Sequence, residues 1–443
     1  MKNLLRISSL LIIVLMLSGG WAAAQEKLYT LEDCIDYALE HSTDIGRANN
    51  EVISEGSALE QYKAARTPSL LLSGSQTFSS GNSYNETNAE WDWDNDSYFN
   101  LSLNSSLTLY NGAKLKNAII QGQTNLDAAE LDIQTQKEEI SLDILSAYIT
   151  VLYAKEQLKN DKAVLEATEK ELEEATIRKE AGVLSPTDYL NIKSEYASDK
   201  ASVVSSQSDL RVSFVALMQL MNMPVNDSFD IQESGADAVL ASEIETDASK
   251  VYEVALGLQP SIKTAELDLQ SAEIGIQLAK ADALPEVALN ASLSTLYNNA
   301  LDNVGFASQT SHFVTPSIGI SLSIPIYQQK TVKNNVLQAQ IAADDMQYDL
   351  TDIKNDLRKA IEQACSDAES AKSTYLSTVE QVEAEQEAYR VAEEMFAQGM
   401  ITAVDFLATK NSLTEAETDL TRAKYSLILE KKIVEYYMGN EIK

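Results

Sequence analysis

The sequence predicts a mainly α-helical protein with a small β part. Long antiparallel helices continue the strands of a transmembrane β-barrel, and the chain is built as two copies of one design. Three observations carry this. Ala38-Leu39 recurs as Ala255-Leu256 (255 − 38 = 217), and at the same offset Pro68 meets Pro285, Tyr110 meets Tyr327, Gly182 meets Gly399, Asp188 meets Asp405 and Met221 meets Met438. Two runs of about seventy residues, Asn111 to Ala181 and Gln328 to Gln398, contain no proline. Four segments alternate apolar and polar residues with period two. A repeat this long exceeds the 20–50-residue unit of a solenoid and marks a duplicated half-protein.

The first element is an export signal. Lys2 and Arg6 precede the apolar run Leu10 to Leu17, and Ala22-Ala23-Ala24 offers a small-residue cleavage site. The run is too short to span a bilayer as a helix. No later stretch is long and apolar enough to do so, which leaves a soluble protein or a barrel that hydropathy misses. The expected organisation is a signal peptide over 1–24, a first structural repeat over 25–224, an acidic connector over 225–247 and a second repeat over 248–443.

Within each repeat the order is helix, strand, loop, strand, very long helix, turn and shorter helix. The first helix is expected from Leu31 to about Ala65, with Thr30 as its cap and Asp33 at the third helical position. Its copy runs from about Ala248 to Ala283. Pro68 and Pro285 end these helices and set an extended chain beyond them.

Next come the alternating segments, Ser69 to Ser79 and Asn100 to Leu109, then Glu286 to Tyr297 and Ser317 to Ile326. Leu101, Leu103, Leu107 and Leu109 share one face, and so do Ile318, Ile320, Leu322, Ile324 and Ile326. The other face is small and polar, suited to a lining that meets water. About ten residues is the length a tilted strand needs to cross a membrane. Pro325 joins Pro68 and Pro285 as a marker of helix-to-barrel turns.

A polar loop is expected over Ser80 to Ser97. Asp92, Asp94 and Asp96 are spaced like the start of a calcium loop. Ser97 stands where that loop needs Gly and Leu103 where it needs Glu, which favours a solvated extracellular loop. In the long helices apolar residues recur three and four apart, as in Ile140, Ile144, Ala147, Val151 and Ala154. The shorter helices are expected over Pro186 to Met221 and Ala403 to Met438.

The formal charge is −33, and −35 once Lys2 and Arg6 are removed with the signal. Such a chain repels nucleic acid and anionic surfaces. Cys34 and Cys365 are the only cysteines and His41 and His312 the only histidines. They give no disulfide framework, no metal-ligand cluster and no Ser/His/Asp arrangement, so no cofactor, metal or catalytic residue is expected.

Four strands cannot close a barrel, and an open sheet edge in lipid leaves backbone groups unsatisfied. The smallest membrane barrels have about eight strands. The chain is therefore expected to donate its strands to a shared barrel, which alone does not choose trimer over dimer or tetramer.

The whole mature length resembles the TolC family of outer-membrane efflux proteins. The resemblance rests on the duplication, on Leu31-Glu-Asp-Cys-Ile-Asp-Tyr-Ala-Leu39 and on the Pro68 and Pro285 turns. It rests also on Gly182-Val-Leu-Ser-Pro-Thr-Asp-Tyr-Leu190 and Gly399-Met-Ile-Thr-Ala-Val-Asp-Phe-Leu407. It implies a homotrimer with a twelve-stranded outer-membrane barrel and a periplasmic α-helical tunnel, the connector lying at its equator. The implied role is the exit duct for a periplasmic adaptor (a membrane fusion protein) and an inner-membrane pump of the RND or ABC type. A structural coiled-coil spacer or adhesin of the envelope is the competing reading, and it has no use for the alternating strands.

The two Gly-x-x-[Ser/Thr]-x-x-Asp turns are the candidate sites. Gly182 and Gly399 suit the left-handed end of a helix, and Ser185 and Thr402 suit the cap of the next. Pro186 takes the first helical position, with Asp188 and Asp405 completing capping boxes. The resemblance implies adaptor docking at Gly182, Val183, Leu184, Gly399, Met400 and Ile401, and a gate at Asp405 with Thr187 and Asp188. A second family aspartate would fall on Ala408 and a locking arginine on Ile401, so the usual salt-bridge lock is missing.

Overall fold

A computed structural model describes residues 28–85, 89–233, 240, 243, 245–301, 304–440 and 442. The expected signal peptide lies outside them. In chain order the elements are β1 (Leu28–Tyr29), α1 (Leu31–His41), α2 (Thr43–Ala64), β2 (Ser69–Asn85), β3 (Glu90–Asn111), α3 (Lys114–Glu180) and α4 (Pro186–Leu220). They continue with β4 (Asp230–Ile231), α5 (Ala248–Leu258), α6 (Pro260–Ala281), β5 (Glu286–Asn298), α7 (Phe306–His312), β6 (Thr315–Ser323), α8 (Thr331–Ala397) and α9 (Ala403–Tyr437). The duplication is carried into the helix bounds. Lys114 and Thr331 start the 67-residue helices, 217 apart, and Pro186 and Ala403 start the 35-residue helices, also 217 apart. At about 1.5 Å per residue, each long helix extends roughly 100 Å.

The chain divides into two compact units, each drawing on both repeats. Of the described residues, the first comprises those within 28–43, 137–258 and 358–443. Its core joins Cys34, Ile35 and Ala38 of α1 to Ile144, Leu145, Tyr148 and Val151 of α3, Leu217 and Met218 of α4, and Tyr425 and Ile428 of α9. The expected stripe of Ile140, Ile144, Ala147 and Val151 is thus the buried face of α3. Thr30 caps α1 with the reciprocal Asp33 bond, as its sequence suggests. The thiols of Cys34 and Cys365 are both buried.

Within the acidic connector, Asp230–Ile231 pairs in parallel with Leu28–Tyr29. Lys155 Nζ bonds Asp230 Oδ1 at 2.9 Å and the Ile231 carbonyl at 3.1 Å, and Tyr148 OH donates to the Gln232 carbonyl at 2.7 Å. Residues 234–239 of the connector lie outside the described set.

Residues 44–136 and 259–357 form the second unit. Its centre is a four-stranded antiparallel sheet of order β2-β3-β5-β6. The leading helix of each repeat, expected to be continuous, is broken once. Ser42 adopts ψ 129° between α1 and α2, and Gln259 adopts ψ 122° before Pro260. Proline has no N–H to extend a helix and holds the preceding residue out of the α region.

β2 and β3 pair from Ser69↔Ser106 to Asn85↔Glu90, so much of the expected Ser80–Ser97 loop is strand. The Trp-Asp-Trp-Asp run itself alternates with period two, which is strand patterning despite its polarity. The side chains of Asp92 and Asp94 lie outside what the structure describes. β6 begins earlier than expected and stops at Ser323, leaving Ile324, Pro325 and Ile326 outside the ladder. Proline cannot donate to a ladder, so the strand ends before it.

One face of the sheet carries Leu70, Leu72, Leu101, Leu103, Leu289, Leu293, Ile318, Ile320 and Leu322. Ile318 is 77% exposed. The opposite face is hydroxyl- and amide-rich, with Ser73 bonded to Ser102, Ser292 to Ser317 and Asn290 to Ser321. β2 and β6 each pair on one side only. The second loop holds a short helix that the sequence did not announce. Buried Gln309 of α7 accepts from Asn298 N–H and donates to the Asn298 and Val304 carbonyls, fixing the loop to β5. No described helix is long and apolar enough to cross a membrane.

Candidate functional site at the helical hairpin tips

Both hairpin turns belong to the first unit and are built alike. Gly182 has φ +76° and donates to the Lys179 carbonyl, and Val183 donates to the Arg178 carbonyl. Gly399 has φ +72° and donates to the Phe396 carbonyl, and Met400 donates to the Met395 carbonyl. These paired bonds close the last turn of α3 and of α8 and need a left-handed residue at the glycine. A Cβ at either glycine would meet nothing within 4 Å, so the requirement is conformational.

The two caps differ. Thr402 and Asp405 form the complete reciprocal box, Thr402 Oγ1 accepting from Asp405 N–H at 3.3 Å and Asp405 Oδ2 accepting from Thr402 N–H at 3.3 Å. Ser185 Oγ accepts from Asp188 N–H at 3.0 Å, but the box expected here is not completed. The other carboxylate oxygen of Asp188 instead accepts from Ala403 N–H at 3.4 Å, in the opposite hairpin. Asp188 is half-buried, while Thr187 and Asp405 are exposed.

The four apolar tip residues also separate. Leu184 and Ile401 pack on a cluster of Ala175, Ile192, Ala392, Ala403, Phe406 and Leu407. Val183 is 75% exposed and Met400 59% exposed, and Ile177, Leu190 and Val404 of the same hairpins are exposed as well. Ile401 is therefore partly buried against that cluster. Arg178, absent from the sequence-based set, donates Nη2 to the Ala397 carbonyl at 2.8 Å and so joins the hairpins at their turns. Its only sequence signal was a basic residue in the last turn of a helix, which ordinary dipole pairing also explains.

The three prolines expected at helix-to-barrel turns lie in the second unit. Pro68 and Pro285 immediately precede β2 and β5. Pro325 sits after β6, before the turn into α8, where Gln329 and Lys330 both have positive φ. Gly112 and Ala113 do the same at the start of α3, 217 residues earlier. Among the described residues, no group of three His, Cys, Asp or Glu side chains is placed to hold a metal.

Residues 34–223 and 251–436 match the profile of the family described as outer membrane efflux protein. The chain belongs to that family. Outer membrane protein TolC of Salmonella enteritidis is 23% identical over 390 residues, which cover 86% of this chain and 77% of that protein. Outer membrane efflux protein BepC of Brucella suis biovar 1 is 20% identical over 321 residues, covering 72% and 68%. The fold matches a crystal structure of CusC, from work on its folding and transmembrane channel formation, with a TM-score of 0.80 at 17% identity over 93% of this chain and 92% of that one. As a member of that family, the chain is an efflux protein of the Gram-negative outer membrane. The strands, aliphatic on one face and hydroxyl-rich on the other, have the alternation of membrane-barrel strands.

Proposed function

We propose that three copies of the mature chain close one twelve-stranded barrel and form the exit duct of a tripartite efflux or type I secretion system. The observation that carries this is the four-stranded sheet with two unpaired edges, one aliphatic face and one hydroxyl face. In lipid an unpaired edge is costly, and pairing β6 of one copy with β2 of the next removes every edge. In this reading residues 1–24 are removed on export. The repeats over 25–224 and 248–443 each supply two strands and a pair of helices, joined by the 225–247 connector.

A periplasmic adaptor docks at Gly182, Val183, Leu184, Gly399, Met400 and Ile401. Val183 and Met400 give the contact surface, and Leu184 and Ile401 hold the turns in place from beneath. The adaptor links the duct to an inner-membrane pump. Asp405, Asp188 and Thr187 form the periplasmic gate: Asp405, exposed at its helix start, supplies the ring of carboxylates, and Asp188 ties the hairpins. Pro68, Pro285 and Pro325 turn the helices into the barrel. A spacer or adhesin would leave the aliphatic sheet face without a partner.

The test is conductance. Purified full-length protein in a planar bilayer should form cation-selective channels, and Asp405→Asn should reduce the selectivity, because close carboxylates concentrate cations. Unchanged selectivity in that variant would remove Asp405 from the gate. An inability of the wild-type protein to conduct would remove the duct.

A further inference from the structure

The two loops at the far end of the sheet differ in charge and in where they fold. Residues 86–96, between and into β2 and β3, carry five acids: Glu86, Glu90, Asp92, Asp94 and Asp96. Residues 301–314, between β5 and β6, carry one acid, Asp302, and no Lys or Arg, in a chain of formal charge −33. They present instead Leu301, Val304, Phe306, Phe313 and Val314, all exposed. Exposed apolar side chains gathered in one short loop mark a contact surface.

The strand register says which side of the sheet this surface lies on. Phe99 and Tyr297 are paired across β3 and β5, on the face that carries Leu101, Leu103, Leu289 and Leu293. Phe306, at the start of α7, sits against both rings, 5.4 Å from Phe99 and 5.1 Å from Tyr297 between centroids. Thr295, also on that face, donates its hydroxyl to the Thr310 carbonyl at 2.7 Å. The three hydrogen bonds of buried Gln309 fix the helix there. α7 therefore folds onto the aliphatic side of the sheet, away from the hydroxyl side. Its height also fits. Leu107 to Phe99 is about 27 Å of strand, or roughly 20 Å once tilted by about 40°, close to the apolar band of a membrane barrel.

We propose that α7 and its flanks are a membrane-surface anchor. They lie outside the barrel wall, with Phe306, Phe313 and Val314 in the boundary between headgroups and acyl chains of the outer leaflet. The proposal rests on the duct reading, in which the aliphatic sheet face meets lipid. It adds that the second loop grips the bilayer beside the exit and does not fold across it. Continuity of the surface argues for lipid as the occupant: from Leu293 and Leu101 through Phe99 and Tyr297 to Phe306, no charged side chain intervenes on that face. The scarcity of acids agrees, because carboxylates are repelled by anionic headgroups. A free helix of this length would not hold its shape. Thr295 and Gln309 already hold it, so placing its apolar side in the interface requires little further ordering.

Fluorescence quenching in phosphatidylcholine vesicles tests this with the full chain. Trp91→Phe and Trp93→Phe remove the tryptophans that remain after residues 1–24 are lost, and Phe306→Trp then supplies a single probe. Its emission should fall more with lipid brominated near the headgroup end of its chains than with lipid brominated near the methyl end. Acrylamide in the water should quench it weakly. A probe quenched by acrylamide and by neither lipid overturns the anchor. A probe quenched by none of the three lies against protein, which overturns the anchor in favour of a contact between copies. Where Phe306→Trp does not assemble, Phe313→Trp decides by the same criteria. Conductance of the same vesicles is read in parallel. Conducting vesicles with a water-quenched probe leave the duct standing without the anchor, and a protein that neither conducts nor enters the vesicles overturns both.

Discussion

Glycine does two different jobs at its positive-φ positions. At Gly182 and Gly399 there is open space, so a methyl group brings only the left-handed penalty of about 1–2 kcal/mol. At Gly112, φ +65°, an added Cβ would lie 2.7 Å from Leu284 Cβ. Backbone-attached atoms cannot yield cheaply, so overpacking of about 1–3 kcal/mol adds to the strain. Gly112→Ala is accordingly expected to lower the thermal midpoint in detergent more than Gly182→Ala; equal losses would show that Leu284 yields freely. The sequence marked Gly182 and Gly399 through their repeat and their caps. It gave no sign that Ala113, Gln329 and Lys330 are left-handed, because those residue types do not announce that conformation. The burial of Lys410 in α9 was hidden for a related reason. A lone lysine in a charged helix reads as solvent-facing, and only the packing of Thr168 and Glu171 around it shows otherwise.

At the scale of elements, the long helices, the shorter helices and the strand faces were legible because each rests on periodicity. What escaped was where periodicity competes with polarity. The Trp91 to Asp96 stretch alternates like a strand but is acidic like a loop, and hydrogen bonding across β2 and β3 decided for strand. The break before Pro260 was visible in principle as a proline at a helix start, and Ser42 is its counterpart without one. The sheet makes a face-specific prediction. Ile320 and Ser321 are adjacent on β6 and point to opposite faces. Ile320→Arg places charge against lipid, at about 2–4 kcal/mol near the midplane, and should abolish membrane assembly. Ser321→Arg, facing water, should assemble and alter conductance. Both can be read from membrane fractionation, and equal assembly of the two variants would show that the faces are misassigned.

For the whole molecule, the four strands are why the proposed duct needs more than one copy of the chain. Two edges remain open in a single copy, and membrane barrels tolerate none. The helices multiply in the same way, so each copy brings two hairpins whose tips differ: Asp405 closes its own cap, while Asp188 reaches across to Ala403. A ring of such copies has six similar tips but repeats its chemistry only three times. Ser185-Pro-Thr-Asp188 and Thr402-Ala-Val-Asp405 were expected to cap alike, and the difference escaped the sequence because the bond from Asp188 depends on the approach of the second hairpin. The most direct measurement is the native mass of the protein extracted in detergent. Three times the mass of the mature chain, itself slightly below the 48.6 kDa of the full sequence, is the predicted result. A water-soluble monomer, stable without detergent, would contradict the shared barrel and everything built on it.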